Sequence, residues 1–236
     1  MAKKYRGQKC PYCTHGISDS DEHVLARKFF VVEDRGNLPK APACKRCNNL
    51  KSELERYALE VLPFGARHHA AQMTMATEVP RRLAQNLAQL RAMKHGLGQA
   101  WVQERPDGII MPTMTVPVDA ARLKALFVYI VKGLLWYHWK VYLDPSDHVD
   151  LVFLTGEGNH RFREDFGRVD GEVTERDFGK GTIAYRGIQD RTFPKVTVWQ
   201  FSILGGVCLV SGDPADGASS TIAAFTGFQE HRSANG

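Results

Sequence analysis

Cys10-Pro11-Tyr12-Cys13 and, about thirty residues further on, Cys44-Lys45-Arg46-Cys47-Asn48-Asn49-Leu50-Lys51 are the stretches from which the rest of the chain is read. Each Cys-x-x-Cys pair sets two thiolates three positions apart, close enough to reach one ion at about 2.3 Å. Two such pairs complete a closed tetrahedral site, so Cys10, Cys13, Cys44 and Cys47 are expected to hold a structural zinc. Disulfides are the weaker reading. Met1-Ala2-Lys3-Lys4-Tyr5 leads into polar sequence without an apolar signal core, and a reducing cytosol keeps thiols free. The expectation is a cytoplasmic protein that spans no membrane, with Cys208 in Gly206-Val207-Cys208-Leu209-Val210 a buried core thiol.

Between the two pairs lie Asp21-Glu22-His23-Val24, the run Phe29-Phe30-Val31-Val32, and a loop Glu33-Asp34-Arg35-Gly36-Asn37. From Leu50 the apolar residues Leu50, Leu54, Tyr57, Ala58, Val61 and Leu62 recur at helical spacing until Pro63 and Gly65 stop them. A helix is therefore expected to begin near the second pair. Asn48, Lys51, Ser52 and Glu55 share its other face, read as a polar stripe turned away from the core. Asn48 and Asn49 also compete for a plain capping role at the helix start.

Charge is placed unevenly. Residues 1–57 carry 12 Lys+Arg against 7 Asp+Glu, so the whole net excess of +5 sits at the N-terminal end. A positive field of this kind draws polyanions such as nucleic acid, and a solvated surface with a modest imbalance is the plain alternative.

The order Cys-x-x-Cys, acidic-His, Asn, Cys-x-x-Cys-Asn-x-x-Lys resembles the HNH (His-Asn-His) endonuclease family with its ββα-metal fold. The form Cys44-Lys45-Arg46-Cys47-Asn48-Asn49-Leu50-Lys51-Ser52-Glu53-Leu54-Glu55-Arg56-Tyr57 is similar to HNH proteins found with bacterial defence genes. The likeness covers about the first quarter of the chain. It implies that His23 is the general base and that Glu22 and Asn48 are ligands of a catalytic metal. Asn37 would be the middle Asn that braces the loop and orients the His. The family more often has Asp where this chain has Glu22, which makes Asp21 an alternative ligand, and the final His of the family name is here Asn48. His68 and His69 sit where a further ligand or phosphate contact could come from, Glu55 could join the metal site, and Arg46 and Lys51 are the candidate nucleic-acid contacts.

Those residue types suit phosphodiester hydrolysis. The reaction needs a nucleophile, charge neutralisation on phosphate and help for the leaving oxygen. Oxygen ligands such as Glu22 and Asn48 favour Mg²⁺ or Mn²⁺, whereas four thiolates favour Zn²⁺. An imidazole with a reference pKa of about 6.5 can be neutral at physiological pH and take a proton from water.

At 236 residues, 43% of them hydrophobic, the chain has room for a sizeable core beyond that first quarter. Residues 67–95 read as two helices with Pro80 between them, ended by Gly96 and Gly98. Ile109-Ile110-Met111 reads as a short strand, and Asp119 as the cap of a helix too densely apolar to lie on the surface. Strand-like runs at 151–154, 181–185, 195–201 and 207–210 suggest a small antiparallel sheet on one or more helices. Gly156-Glu157-Gly158-Asn159-His160-Arg161 reads as a hairpin or charged loop.

The expected architecture is α+β: a zinc-stabilised HNH domain over 1–66, a helical and sheet domain over 67–210, and a loosely held tail over 211–236. The expected function is metal-dependent cleavage of DNA, with antiphage defence as the setting the resemblance implies. The alternatives are an RNA-directed HNH nuclease and a zinc-stabilised binding module that does not cut. A homodimer and a sensor or NTPase are the partners such a nuclease would call for.

Overall fold

The computed structural model describes residues 4–66, 68–103, 110–207 and 221–227. Strand β1 (Ser20–His23) pairs antiparallel with β2 (Lys40–Ala43), Glu22 opposite Ala41 and His23 opposite Lys40. Helix α1 (Lys45–Val61) starts directly after β2. Two single 3₁₀ turns, Arg27–Phe29 and Val32–Asp34, fill the connection between the strands and bury Phe29 and Phe30.

Helices α2 (His69–Gln85) and α3 (Leu87–His95) follow. The break between them lies at Asn86 and not at Pro80, which α2 carries inside it. Asn86 leaves the helical backbone region and its side chain accepts the Gln89 N–H, so one residue ends α2 and starts α3. The hairpin β3 (Gly98–Gln103) and β4 (Ile110–Thr115) comes next.

Helix α4 (Ala120–Trp139) begins at Asp119, whose carboxylate accepts the Arg122 N–H at 3.1 Å. It is apolar on nearly every side because both sides are covered. On one, a Cβ at Gly133 would lie 2.8 Å from Val24 and 2.9 Å from the Tyr12 hydroxyl, so only glycine lets the N-terminal unit approach this closely. On the other, Phe127 meets Phe201 at 5.4 Å and Trp139 meets Trp199 at 5.2 Å. One hydrophobic core thus runs from Cys10 and Val24 through α4 to Trp199 and Phe201.

Those last residues belong to an antiparallel sheet of order β5-β9-β8-β7-β6, built from β5 (Val149–Leu154), β6 (Glu172–Phe178), β7 (Ile183–Gln189), β8 (Thr197–Ile203) and β9 (Thr221–Thr226). The α+β class expected from the sequence is therefore what the chain adopts. Two local expectations are corrected. Residues 156–161 are helical, forming the start of α5 (Gly156–Phe166), because the Thr155 hydroxyl accepts the Gly158 N–H and caps the first turn. Residues 221–226, expected within a loose tail, form an internal strand, since β5 and β8 offer a ladder on each side. Of the expected 207–210 strand, Val207 makes an isolated bridge with Ala66. Cys208 and the rest of that run lie outside the described residues. No helix among the described residues is long and apolar enough to cross a membrane.

Candidate functional site

The first cysteine pair sits in a tight turn. Thr14 takes a left-handed backbone (φ 58°) and donates its N–H to the Cys10 carbonyl at 2.9 Å, and the Gly16 N–H then reaches Cys13 Sγ at 3.3 Å. The second pair comes from the junction of β2 and α1, where Cys44 is the residue preceding the helix and Cys47 lies within its first turn. All four sulfurs fall within 4.8 Å of one another, with Cys13 and Cys44 3.9 Å apart. Tetrahedral coordination at about 2.3 Å separates sulfurs by about 3.8 Å, so the cluster is spaced to hold a metal ion such as zinc. None of the four is in a disulfide. Burial acts to raise the Cys13 thiol, but hydrogen bonds from the Gly16 and His15 backbone and from Cys47 and Cys44 outweigh it and bring it to about 7. Burial and neighbouring sulfur push Cys47 the other way.

The cluster fixes the start of α1, and α1 carries the next layer of the site. Lys51 is wholly buried, against the expectation of a solvent-facing polar stripe and of a nucleic-acid contact. Its ammonium donates to Glu22 Oε1 at 3.2 Å, to the His23 carbonyl at 2.8 Å and to Glu55 Oε1. A buried ammonium needs such partners, and two carboxylates with a carbonyl use all three of its donors. Burial raises the Glu55 carboxyl, and the Lys51 charge opposes that rise.

Asn48 lies one turn before Lys51. It does not cap the helix, since Cys44 occupies the capping position and the Asn48 backbone N–H is already bonded to the Cys44 carbonyl. Its side-chain Oδ1 is buried with no hydrogen-bond partner, while Asn49 is exposed. An orphaned buried carbonyl oxygen is uncommon and is the donor a hard cation would use.

Asp21 turns to the N-terminal segment and accepts the backbone N–H groups of Lys4 and Tyr5, each at 2.8 Å. Glu22 and His23 instead open into a cavity of about 590 Å³. Its walls include Arg27 and Lys28 from the β1–β2 connection, Ser52, Glu55 and Arg56 from α1, Arg82 from α2 and Asn86 from the α2–α3 junction. Burial first, then the charges of Lys40, Arg27 and Lys51, lower the His23 imidazole to about 4, leaving it neutral at physiological pH.

The other expected residues are placed elsewhere. Asn37 is exposed in a left-handed turn (φ 56°) before β2 and makes no side-chain hydrogen bond among the described residues. Arg46 is exposed on the first turn of α1, outside the cavity wall. His68 has both ring nitrogens in use: Nδ1 accepts the Ala70 N–H and caps α2, which leaves Nε2–H to donate to the Lys180 carbonyl at 3.0 Å. His69 packs its ring against His68 at 4.4 Å.

Sequence reasoning missed the α2 wall. Arg82 donates to the Leu59 carbonyl at 3.4 Å, and Asn86 Nδ2 donates to the buried Glu60 carboxylate at 3.0 Å. Nothing in the local sequence announces either contact, which depends on how α2 packs beside α1. The Lys51–Glu55 pair did carry a signal, the four-residue helical spacing of opposite charges. Searches against protein-family models, curated proteins and solved structures found nothing that matches this chain.

Proposed function

We propose that the chain is a metal-dependent endonuclease that hydrolyses phosphodiesters by HNH-type chemistry, with a zinc ion in the four-cysteine cluster as its structural metal. The observation that carries this reading is a neutral imidazole and an adjacent carboxylate, His23 and Glu22, opening together into a cavity walled by Arg27, Lys28, Arg56 and Arg82. A carboxylate set in a cation-lined cavity works against simple phosphate binding and favours a reacting site.

The residues divide the work by chemistry. His23, held uncharged by burial and nearby cations, accepts a proton from water. Arg27, Lys28 and Arg56 attract and orient the phosphate backbone. Glu22 and Asn48 are the oxygen donors that would hold a hard divalent cation, Mg²⁺ or Mn²⁺, and such an ion would neutralise phosphate charge and stabilise the leaving oxygen. Lys51 engages one Glu22 oxygen only and Asn48 Oδ1 has no protein partner, which leaves an oxygen of each open to such an ion, while Asn48 is not among the residues that line the cavity of Glu22 and His23. Lys51 then acts as a fixed internal cation paired with Glu22 and Glu55. Asp21, engaged by the backbone N–H groups of Lys4 and Tyr5, is no part of this assignment.

DNA is the proposed polymer, and RNA is the competing arm of the test because the site's residue types do not distinguish deoxyribose from ribose. A single site of this kind cuts one strand, so a double-strand break calls for a dimer or repeated nicking. A role against phage extends the same reading, and deletion of the gene would then change plaque formation across a phage panel.

The test compares wild-type and His23→Ala protein on duplex DNA, single-stranded DNA and RNA, scoring cleavage and affinity separately. The nuclease reading expects the variant to lose cutting while keeping zinc and binding. A zinc-stabilised binding module would bind in both forms and cut in neither.

A further inference from the structure

Alternation along β7 and β8 gives the five-stranded sheet two unlike faces. Tyr185, Trp199 and Phe201 pack on the α4 side. Ala184, Arg186, Gln200 and Ser202 turn the other way, with Arg186 opposite Gln200 in the ladder and opposite Glu175 of β6. Helix α5 crosses this second face and seats Phe162 and Phe166 on Ile188, Val198 and Phe225. Those apolar contacts cover one end. At the other, Asn159 and Arg163 stand one helical turn apart over the polar strand residues and enclose a cavity of about 450 Å³.

Three observations give this cavity a chemistry. Arg186 Nε is buried without a hydrogen-bond partner, although its guanidinium lies over the Phe166 ring at 5.3 Å. A buried N–H left unmade is costly, and an arginine in a polar cavity meets that cost when a ligand supplies the acceptor. The ion pairs along and just after α5 are the outward ones, Arg161 with Glu157, His160 with Glu164 and Arg168 with Asp165, and they leave Arg163 unpaired among the described residues. Gln200 Nε2 donates to Asn159 Oδ1 at 2.6 Å, which fixes both amides and leaves the Asn159 NH₂ as a further donor.

We propose that this cavity binds a phosphate-bearing small molecule, with Arg163 and Arg186 taking the phosphate and Glu175 the hydroxyl or amino donors of the remainder. Planar guanidinium forks match phosphate oxygens, and here two guanidinium groups outnumber one carboxylate. The volume lies within the range of small-ligand sites, about 300–1,000 Å³, and bare phosphate would leave most of it unfilled. Glu175 has no use for a bare anion but suits an ester with hydrogen-bond donors. The site lies on the sheet face opposite α4, so it stands or falls independently of the nuclease reading.

The test is calorimetric titration of the full-length, zinc-loaded protein with inorganic phosphate, adenosine monophosphate and adenosine, with thermal shift as a second readout. Adenosine monophosphate is expected to bind and raise Tm, and adenosine is not. Arg163→Gln, on an exposed helix position where folding is not at risk, and Arg186→Gln should each weaken binding about tenfold or more, while Arg161→Gln leaves it unchanged. Equal affinity for inorganic phosphate would support the phosphate site and identify the free anion as its ligand. No binding of phosphate or the nucleotide, or affinity unchanged in both Arg163→Gln and Arg186→Gln, would overturn the proposal.

Discussion

The Lys51 ammonium lies 3.2 Å from Glu22 Oε1, with the lysine side chain wholly removed from solvent and the glutamate side chain 16% exposed. This contact ties α1 to β1 beside His23, whose carbonyl takes another Lys51 donor. Removing one partner of a buried ion cluster leaves the others uncompensated, which costs about 3–5 kcal/mol. Lys51→Ala is therefore expected to lower unfolding free energy by an amount of that order in urea titration. Lys51→Met combined with Glu55→Leu should recover much of it, because no unpaired charge then remains at the Glu55 end. A single variant as stable as wild type would show that the cluster contributes nothing net.

The cysteine cluster predicts a joint loss. Cys44→Ser should reduce zinc content and Tm together, since a structural metal's binding free energy is folding free energy. Elemental analysis alongside thermal unfolding decides this, and an unchanged Tm with zinc gone would contradict a structural role.

Gly16 predicts a subtler defect at the same cluster. A Cβ there would lie 2.8 Å from Cys44 Sγ and 3.3 Å from Cys13 Sγ, and neither sulfur is free to move if both hold a metal. Gly16→Ala is expected to weaken zinc affinity at least about tenfold, comparable to loss of an outer-shell contact, with the cysteines intact. Competition with a chromogenic chelator measures it.

His138 makes folding sensitive to acid. Its ring bonds Tyr185 at 2.9 Å and Thr174 at 3.1 Å within the interface of α4 and the sheet, where burial, then Arg176 and Lys140, lower it to about 4. Between that value and the ordinary 6.5 the unfolded chain binds a proton that the folded one refuses, so stability falls as pH falls across this window. Stability from this source is fully present above pH 6.5. His138→Gln, which keeps a polar atom near Tyr185, should show a shallower drop in Tm between these limits than wild type, and equal slopes would remove His138 as the cause.

What the sequence disclosed and what it hid follow from how local each cause is. The cysteine cluster and the start of α1 were legible because thiols three positions apart and a strand-to-helix junction fix their own geometry. The buried face of α4 was legible from apolar density alone. Lys51 misled because its burial depends on Glu22, far away in sequence, and helical periodicity alone assigns a lysine to solvent. Residues 156–161 misled because two glycines and alternating charges hide a helix whose stability comes from the Thr155 cap and from Phe162 and Phe166 seated on the sheet. Arg82 and Asn86 gave no sign of lining the cavity, because that follows from the packing of α2 and not from any spacing within it.

The central claim is cleavage that depends on a divalent metal and His23, and nicking of supercoiled plasmid by zinc-loaded protein tests it most directly. The account predicts nicked and linear products with Mg²⁺ or Mn²⁺, none when the divalent ion is left out, and none from His23→Ala protein with its zinc retained. Cutting at the wild-type rate by His23→Ala, or by protein without added divalent metal, would contradict it.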